Sequence, residues 1–167
     1  MAKTRDNLND AFVGESQANR RYLFFADKAD EEGYPMIARL FRAAAEAETV
    51  HARNHLRAMD GVKSTRDNLK AAISGEQYEF TQMYPGFIEQ AKTEGNTDAE
   101  ASFDQANKVE KIHYTLYERA LKSLDGGEPL KDEPYFVCQQ CGYTVGGQAP
   151  EKCPVCGAPR KMFRRVE

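Results

Sequence analysis

Glu48-Thr49-Val50-His51 and Glu110-Lys111-Ile112-His113 decide how this chain is read. Each is a Glu-x-x-His step, and residues three apart on a helix share one face about a turn apart. A carboxylate and an imidazole stacked in this way can hold one metal ion between them. Two such steps point to two metals. A single Glu-x-x-His is ordinarily coincidence, and a lone mid-helix Glu is ordinarily a solvated surface residue.

What argues otherwise is that the pattern is duplicated together with its surroundings. Thr4-Arg5-Asp6-Asn7-Leu8 recurs as Thr65-Arg66-Asp67-Asn68-Leu69, and both copies run on to a Gly-Glu pair, Gly14-Glu15 and Gly75-Glu76. The first segments stand 61 positions apart and the Glu-x-x-His steps 62. Two helical hairpins of one design are therefore expected in series.

Helix signals fit this layout. The first helix is expected from Thr4 to Glu32, closed by Gly33, and the second from Pro35 to Asp60, followed by Gly61. The third is expected to start at Thr65, with the Thr65 hydroxyl as cap, and to close at Gly95. Thr97-x-x-Glu100 reads as a capping box for the fourth, which is expected to end near Leu124. The expected domains are a four-helix bundle over 1–124, a linker over 125–133 and a small cysteine module over 134–167. The fold class is mainly α.

Glu15, Glu48, Glu76, Glu79 and Glu110 all fall near helix middles, at one level of the expected bundle. Burying each charge costs several kcal/mol, so five carboxylates together would repel or take up protons unless cations sit among them. Two lone glutamates, Glu15 and Glu76, plus two Glu-x-x-His pairs match the di-iron helical bundles. Mixed oxygen and nitrogen donors suit iron or manganese. The repeat is imperfect: Ala18 follows Glu15 by three, whereas Glu79 follows Glu76 by three. The extra carboxylate makes the centre asymmetric, and redox is a good reason for that: a more oxidised iron prefers an added anionic oxygen, a reduced one a neutral imidazole. His55 reads as an ordinary structural or surface histidine. Tyr22 and Tyr84 read either as core aromatics or as hydrogen-bond donors at the metal site.

All four cysteines lie in the tail, as Cys138-Gln139-Gln140-Cys141 and Cys153-Pro154-Val155-Cys156. Two C-x-x-C knuckles make a tetrahedral S4 site for zinc or iron. Cys141-Gly142-Tyr143 followed by Cys153-Pro154-Val155-Cys156-Gly157 resembles rubredoxin, which favours iron; zinc can take its place in a recombinant sample. The net charge of −3 in 167 residues gives no reason to expect nucleic acid or a membrane surface as partner. No apolar run approaches the roughly 20 residues of a membrane span, and the polar start lacks a signal core. A cytoplasmic protein is expected.

The whole chain resembles the rubrerythrins. The residues that carry the resemblance are Gly14-Glu15-Ser16-Gln17-Ala18-Asn19-Arg20-Arg21-Tyr22, Glu48-x-x-His51-Ala52-Arg53-Asn54-His55, Gly75-Glu76-x-x-Glu79, Glu110-x-x-His113 and the rubredoxin-like tail. The resemblance implies a ferritin-like bundle with a non-haem di-iron site, an Fe(Cys)4 centre, and a peroxidase active in oxidative-stress defence. It would reduce hydrogen peroxide to water by two electrons, which reach the bundle one at a time from the tail iron. Their source would be NAD(P)H, through a reductase and rubredoxin. By the same resemblance Glu48 and Glu110 bridge, Glu15 and Glu79 hold one iron, and Glu76 and His113 hold the other. His51 replaces Glu79 on reduction. Tyr22 and Tyr84 fall at family site positions. Rival readings are a ferroxidase or iron-handling protein, an oxygen-scavenging oxidase, and a non-enzymatic zinc-ribbon module on a helical scaffold.

The connection between the second and third helices constrains assembly. If these helices run parallel, the chain must climb roughly 30 Å between the site levels, at about 1.5 Å per residue. Residues 61–65 reach only about 18 Å. Either the two helices are antiparallel, or the first hairpin pairs with the second hairpin of another chain. A homodimer with exchanged hairpins is the expectation, because a short hinge promotes exchange.

Overall fold

A computed structural model describes residues 2–166. The chain divides into two compact units, Met1–Lys63 and Ser64–Glu167.

The first unit is a hairpin of α1 (Ala2–Glu31) and α2 (Pro35–Ala58). Its seam is made of small residues, which let the helix backbones approach closely. Ala26, Ala29, Ala38 and Ala45 are buried, and Phe41 packs on the first three. The turn is fixed by hydrogen bonds from Tyr34 N–H to Ala29 O and from Gly33 N–H to Asp30 O, a Schellman closure with Gly33 at φ 80°. Pro35 then opens α2, where its missing N–H costs nothing. Asn19 ties the helices at mid-height: its Nδ2 donates to Ala45 O at 2.7 Å and to Thr49 Oγ1 at 2.9 Å.

The far end of α2 departs from expectation. Gly61 N–H donates to Leu56 O and Asp60 N–H to Arg57 O, so the left-handed position is Asp60, at φ 56°, and not the glycine. Gly61 stands one residue later because a Cβ there would collide with the Leu56 side chain.

The second unit contains α3 (Thr65–Tyr78), a π turn (Glu79–Met83), α4 (Tyr84–Glu94) and α5 (Thr97–Gly126), followed by a three-stranded antiparallel sheet. The third helix was expected to be unbroken. Instead Tyr84 N–H reaches back five residues to Glu79 O, and one extra residue is looped into the rod. Both N-caps lie one residue earlier than expected. Ser64 Oγ, not Thr65, accepts from Asp67 N–H, and Asn96 Oδ1, not Thr97, accepts from Ala99 N–H. In each case the earlier residue has the non-helical backbone that a cap requires.

The sheet has the order β2 (Thr144–Gly146), β1 (Tyr135–Cys138), β3 (Phe163–Val166). Val137 faces Thr144 and Cys138 faces Phe163 across it. The module core is Cys138, Cys153 and Ala158, covered by Tyr143, Val155, Met162 and Phe163. No helix among the described residues is long and apolar enough to cross a membrane.

Candidate metal centres

The Glu-x-x-His spacing gives the same local geometry twice. In the first unit His51 Nδ1 lies 2.9 Å from Glu48 Oε2 and 3.9 Å from Glu15 Oε1. In the second, His113 Nδ1 lies 2.8 Å from Glu110 Oε2. Each hairpin so brings three donors together. Glu15, Glu48 and His51 have ligand atoms within 4.8 Å of one another, and so do Glu76, Glu110 and His113. Two oxygens and one imidazole nitrogen within that span suit a divalent cation with bonds of about 2.0–2.2 Å.

The second group is under electrostatic load. Burial first, and then Glu110 by charge and hydrogen bond, push the Glu76 carboxyl up to about 7. Glu79 is pushed up too, by burial and then by Glu110, so it shares the field of the group without belonging to the close trio. The hydrogen bond to Glu110 raises His113 against its own burial. A cation placed among these groups would relieve the repulsion that forces protons onto them.

Tyr84 feels the same field. Burial, then Glu110, Glu79 and Glu76, push its phenol up, so it keeps its proton. Tyr84 also sits in a ring triangle with Phe87 and Phe103, with centroid distances of 5.5–6.2 Å. Tyr22, Phe25 and Phe41 make the same triangle in the first unit, at 5.6–6.3 Å. His55 lies outside the Glu15–Glu48–His51 group.

The π turn explains the repeat's change of step. Glu15 and Glu76 stand 61 positions apart, as do Ala18 and Glu79. Tyr22 and Tyr84 stand 62 apart, as do Phe41 and Phe103. The inserted residue therefore lies between Glu79 and Tyr84, the span of the π turn. The sequence carried that signal in the shift from 61 to 62, but the shift does not by itself say which helix absorbs the extra residue.

In the tail, Cys138 Sγ lies 3.7 Å from Cys156 Sγ and Cys141 Sγ 3.6 Å from Cys153 Sγ. A tetrahedral ion with metal–sulfur bonds of about 2.3 Å sets its sulfurs about 3.8 Å apart, whereas a disulfide would need about 2.05 Å. The four thiols are free and mutually within 4.8 Å. The two knuckles are built alike. Gly142 N–H donates to Cys138 O and Gly157 N–H to Cys153 O, with both glycines in the left-handed region, at φ 83° and 77°. That turn aims backbone N–H groups at sulfur: Tyr143 toward Cys141, Val155 and Cys156 toward Cys153, and Ala158 toward Cys156. Burial pushes the Cys141 thiol up. At Cys153 burial also acts upward, but the N–H groups and neighbouring thiols together bring it down.

One contact was not foreseen from the sequence. His113 Nε2 lies 3.0 Å from Thr144 Oγ1, on β2 of the tail module. The pair is 31 residues apart, and no local pattern announces it.

Two Glu–Glu–His groups on a duplicated helical hairpin, together with a four-thiolate knuckle pair in the tail, define a metal-binding protein of the ferritin-like helical class with a rubredoxin-like domain. Comparison with known proteins agrees. Residues 6–121 match the rubrerythrin family and residues 136–164 the rubrerythrin rubredoxin-like domain. Rubrerythrin-2 of Clostridium acetobutylicum is 36% identical, over 98% of this chain and 96% of its own. Rubrerythrin of Porphyromonas gingivalis is 38% identical, over 99% and 91%. The solved structure of nigerythrin in its fully reduced, all-ferrous state is 34% identical, covers 98% of this chain and 86% of its own, and superposes with a TM-score of 0.59. The chain belongs to the rubrerythrin family.

Proposed function

We propose that this protein is a non-haem di-iron peroxidase. It reduces hydrogen peroxide to water with electrons from NAD(P)H, relayed by a reductase and rubredoxin and then by its own Fe(Cys)4 centre. The observation that supports this most is that one chain carries both a pair of Glu–Glu–His groups and a tetrahedral thiolate set. A storage or ferroxidase role gives the thiolate set nothing to do, and a zinc ribbon gives the carboxylates nothing to do.

Glu15, Glu48 and His51 would hold one iron, and Glu76, Glu110 and His113 the other. Glu79 would be the added carboxylate of the oxidised centre, and His51 would stand in its place in the reduced one. Bound there, iron supplies the two electrons and the Lewis acidity that cleave an O–O bond. The chain's own groups do the rest. The carboxylates give up their shared protons when the cations enter. Tyr84 keeps its phenolic hydrogen and offers it to oxygen at the site. Backbone N–H groups aimed at the cysteine sulfurs stabilise their negative charge.

A homodimer with exchanged hairpins is part of the same reading. From His51 to the end of α2 is seven residues and from the start of α3 to Glu76 eleven, about 27 Å of climb for parallel helices with level sites. After the closure at Gly61 the free link to Thr65 spans about 14 Å. Exposed apolar side chains on the first hairpin, such as Phe24 at 67% and Leu40 at 68%, also call for a covering partner.

The test is a metal count per chain joined to a peroxide assay with reduced rubredoxin as donor. Three irons per chain and steady peroxide consumption are expected. A sample with iron at the thiolates only, or with turnover on oxygen exceeding that on peroxide, would overturn the proposal.

A further inference from the structure

Thr144 stands on the tail module, yet its hydroxyl meets a helical imidazole. Its Oγ1 is 3.0 Å from His113 Nε2 and 3.0 Å from Gly142 O. A carbonyl oxygen can only accept, and a hydroxyl has a single proton to give. Thr144 therefore donates to Gly142 O and accepts from His113 Nε2–H. That arrangement commits Nε2 as the donor and leaves Nδ1, the nitrogen that faces Glu110, to take a proton or a cation. His113 and Thr144 line a cavity of about 350 Å³ together with Leu69, Leu116, Tyr117, Ala120 and Tyr135. Gly142 itself packs toward α5: a Cβ on it would lie 3.6 Å from Val109 Cγ1. Gly142 directly follows Cys141, one of the four thiolates.

We infer that Thr144 is a positioning residue for His113, through a relay His113 Nε2–H → Thr144 O–H → Gly142 C=O that makes the seating of the cysteine module a condition of metal binding at the helices. The inference rests on the reading of Glu76, Glu110 and His113 as a metal site. An outer hydrogen-bond partner of a metal-bound imidazole typically contributes 10–100-fold in metal affinity.

The experiment uses the full chain with its four-cysteine site already loaded, and cobalt(II) as the probe of the helical site. Thr144→Val, which suits a strand and removes only the hydroxyl, is expected to weaken cobalt binding about 10–100-fold. It should also expose the His113 Nε2–H to fast exchange with water in 15N-resolved NMR. Thr144→Ser is expected to restore both, with the spectrum of the cysteine site unchanged throughout. Unchanged affinity and exchange in the valine variant, or failure of serine to restore them, would overturn the relay. The wild-type protein gives a reading without any variant: a His113 Nε2–H that exchanges as fast as that of His55 overturns it. A wild type that takes up no cobalt at the helices overturns the proposed function instead, and the exchange measurement still decides the relay.

Discussion

Tyr84 occupies in the second hairpin the corner that Tyr22 occupies in the first. Each completes a triangle of rings with the phenylalanines three residues and nineteen residues further on. The triangles match although a residue has been added just before Tyr84, so the π turn absorbs the insertion and leaves the packing beyond it in step. Its effect is confined to the stretch that begins with Glu79.

Deletion of Gln82, which is exposed in that turn, should restore a regular helix and leave both triangles intact. Because a π turn carries poorer hydrogen bonds, the variant is expected to melt about 2–4 °C higher, the shift that about 1 kcal/mol produces. Peroxide turnover should fall by about 100-fold, the cost of a ligand misplaced by an ångström. A calorimetric scan and a peroxide assay test the pair, and a deletion with full turnover counts against a role for the turn.

Glu79→Ala should keep its fold and lose peroxide turnover, by about 10–100-fold, since the oxidised centre would lack its extra carboxylate. The metal-free protein should at the same time become slightly more stable, because one member of a crowded acidic group is gone. Full activity in this variant would argue against ligand exchange.

The helical site without metal should show an inverted pH response. Glu76 holds its proton up to about 7, against an ordinary 4.5, so the folded state binds that proton more tightly than the unfolded chain does. Stability therefore falls as pH rises from 4.5 through 7. The upward shifts of Glu79 and His113 act in the same direction. Metal affinity moves the opposite way and strengthens across that range, because the cation displaces protons. Thermal melts from pH 4.5 to 8 with the cysteine site kept loaded, and proton release on cobalt addition, measure both. A flat melting profile would contradict the first.

Loss of a single cap should be small and clean. Ser64→Ala removes the acceptor for Asp67 N–H and is expected to cost about 1 kcal/mol, read from denaturant melts. Thr65→Ala should cost little by comparison, and the reverse ranking would return the cap to Thr65.

Insertion of about 12 glycine and serine residues after Gly61 adds enough reach for the two hairpins of one chain to pair. Light scattering should then show the mass falling from twice 18.8 kDa toward that of one chain. A wild-type protein that is already monomeric would sink the exchange.

Legibility in the sequence followed distance along the chain. The Glu-x-x-His steps and the cysteine knuckles could be read because each is a local spacing, and helical or turn geometry converts spacing directly into proximity. The caps were misplaced by one residue because Ser64-Thr65 and Asn96-Thr97 each offer two capping side chains in a row, and only backbone angles choose between them. Asp60 was passed over for Gly61 because composition favours glycine at a left-handed position, whereas the closure counted from Leu56 demanded the earlier residue. Thr144 could not be found at all: its partner lies 31 residues away, and only tertiary packing brings them together.

The repeated ring triangle has a consequence for how such a chain came to be. A hairpin that carries its own three donors and its own aromatic wedge is a repeatable building block, and the helical part of this chain is two of them in tandem. A tandem of this kind can recruit its second block from within or from a sister molecule without inventing a new interface, which leaves the length of the tether to decide the pairing.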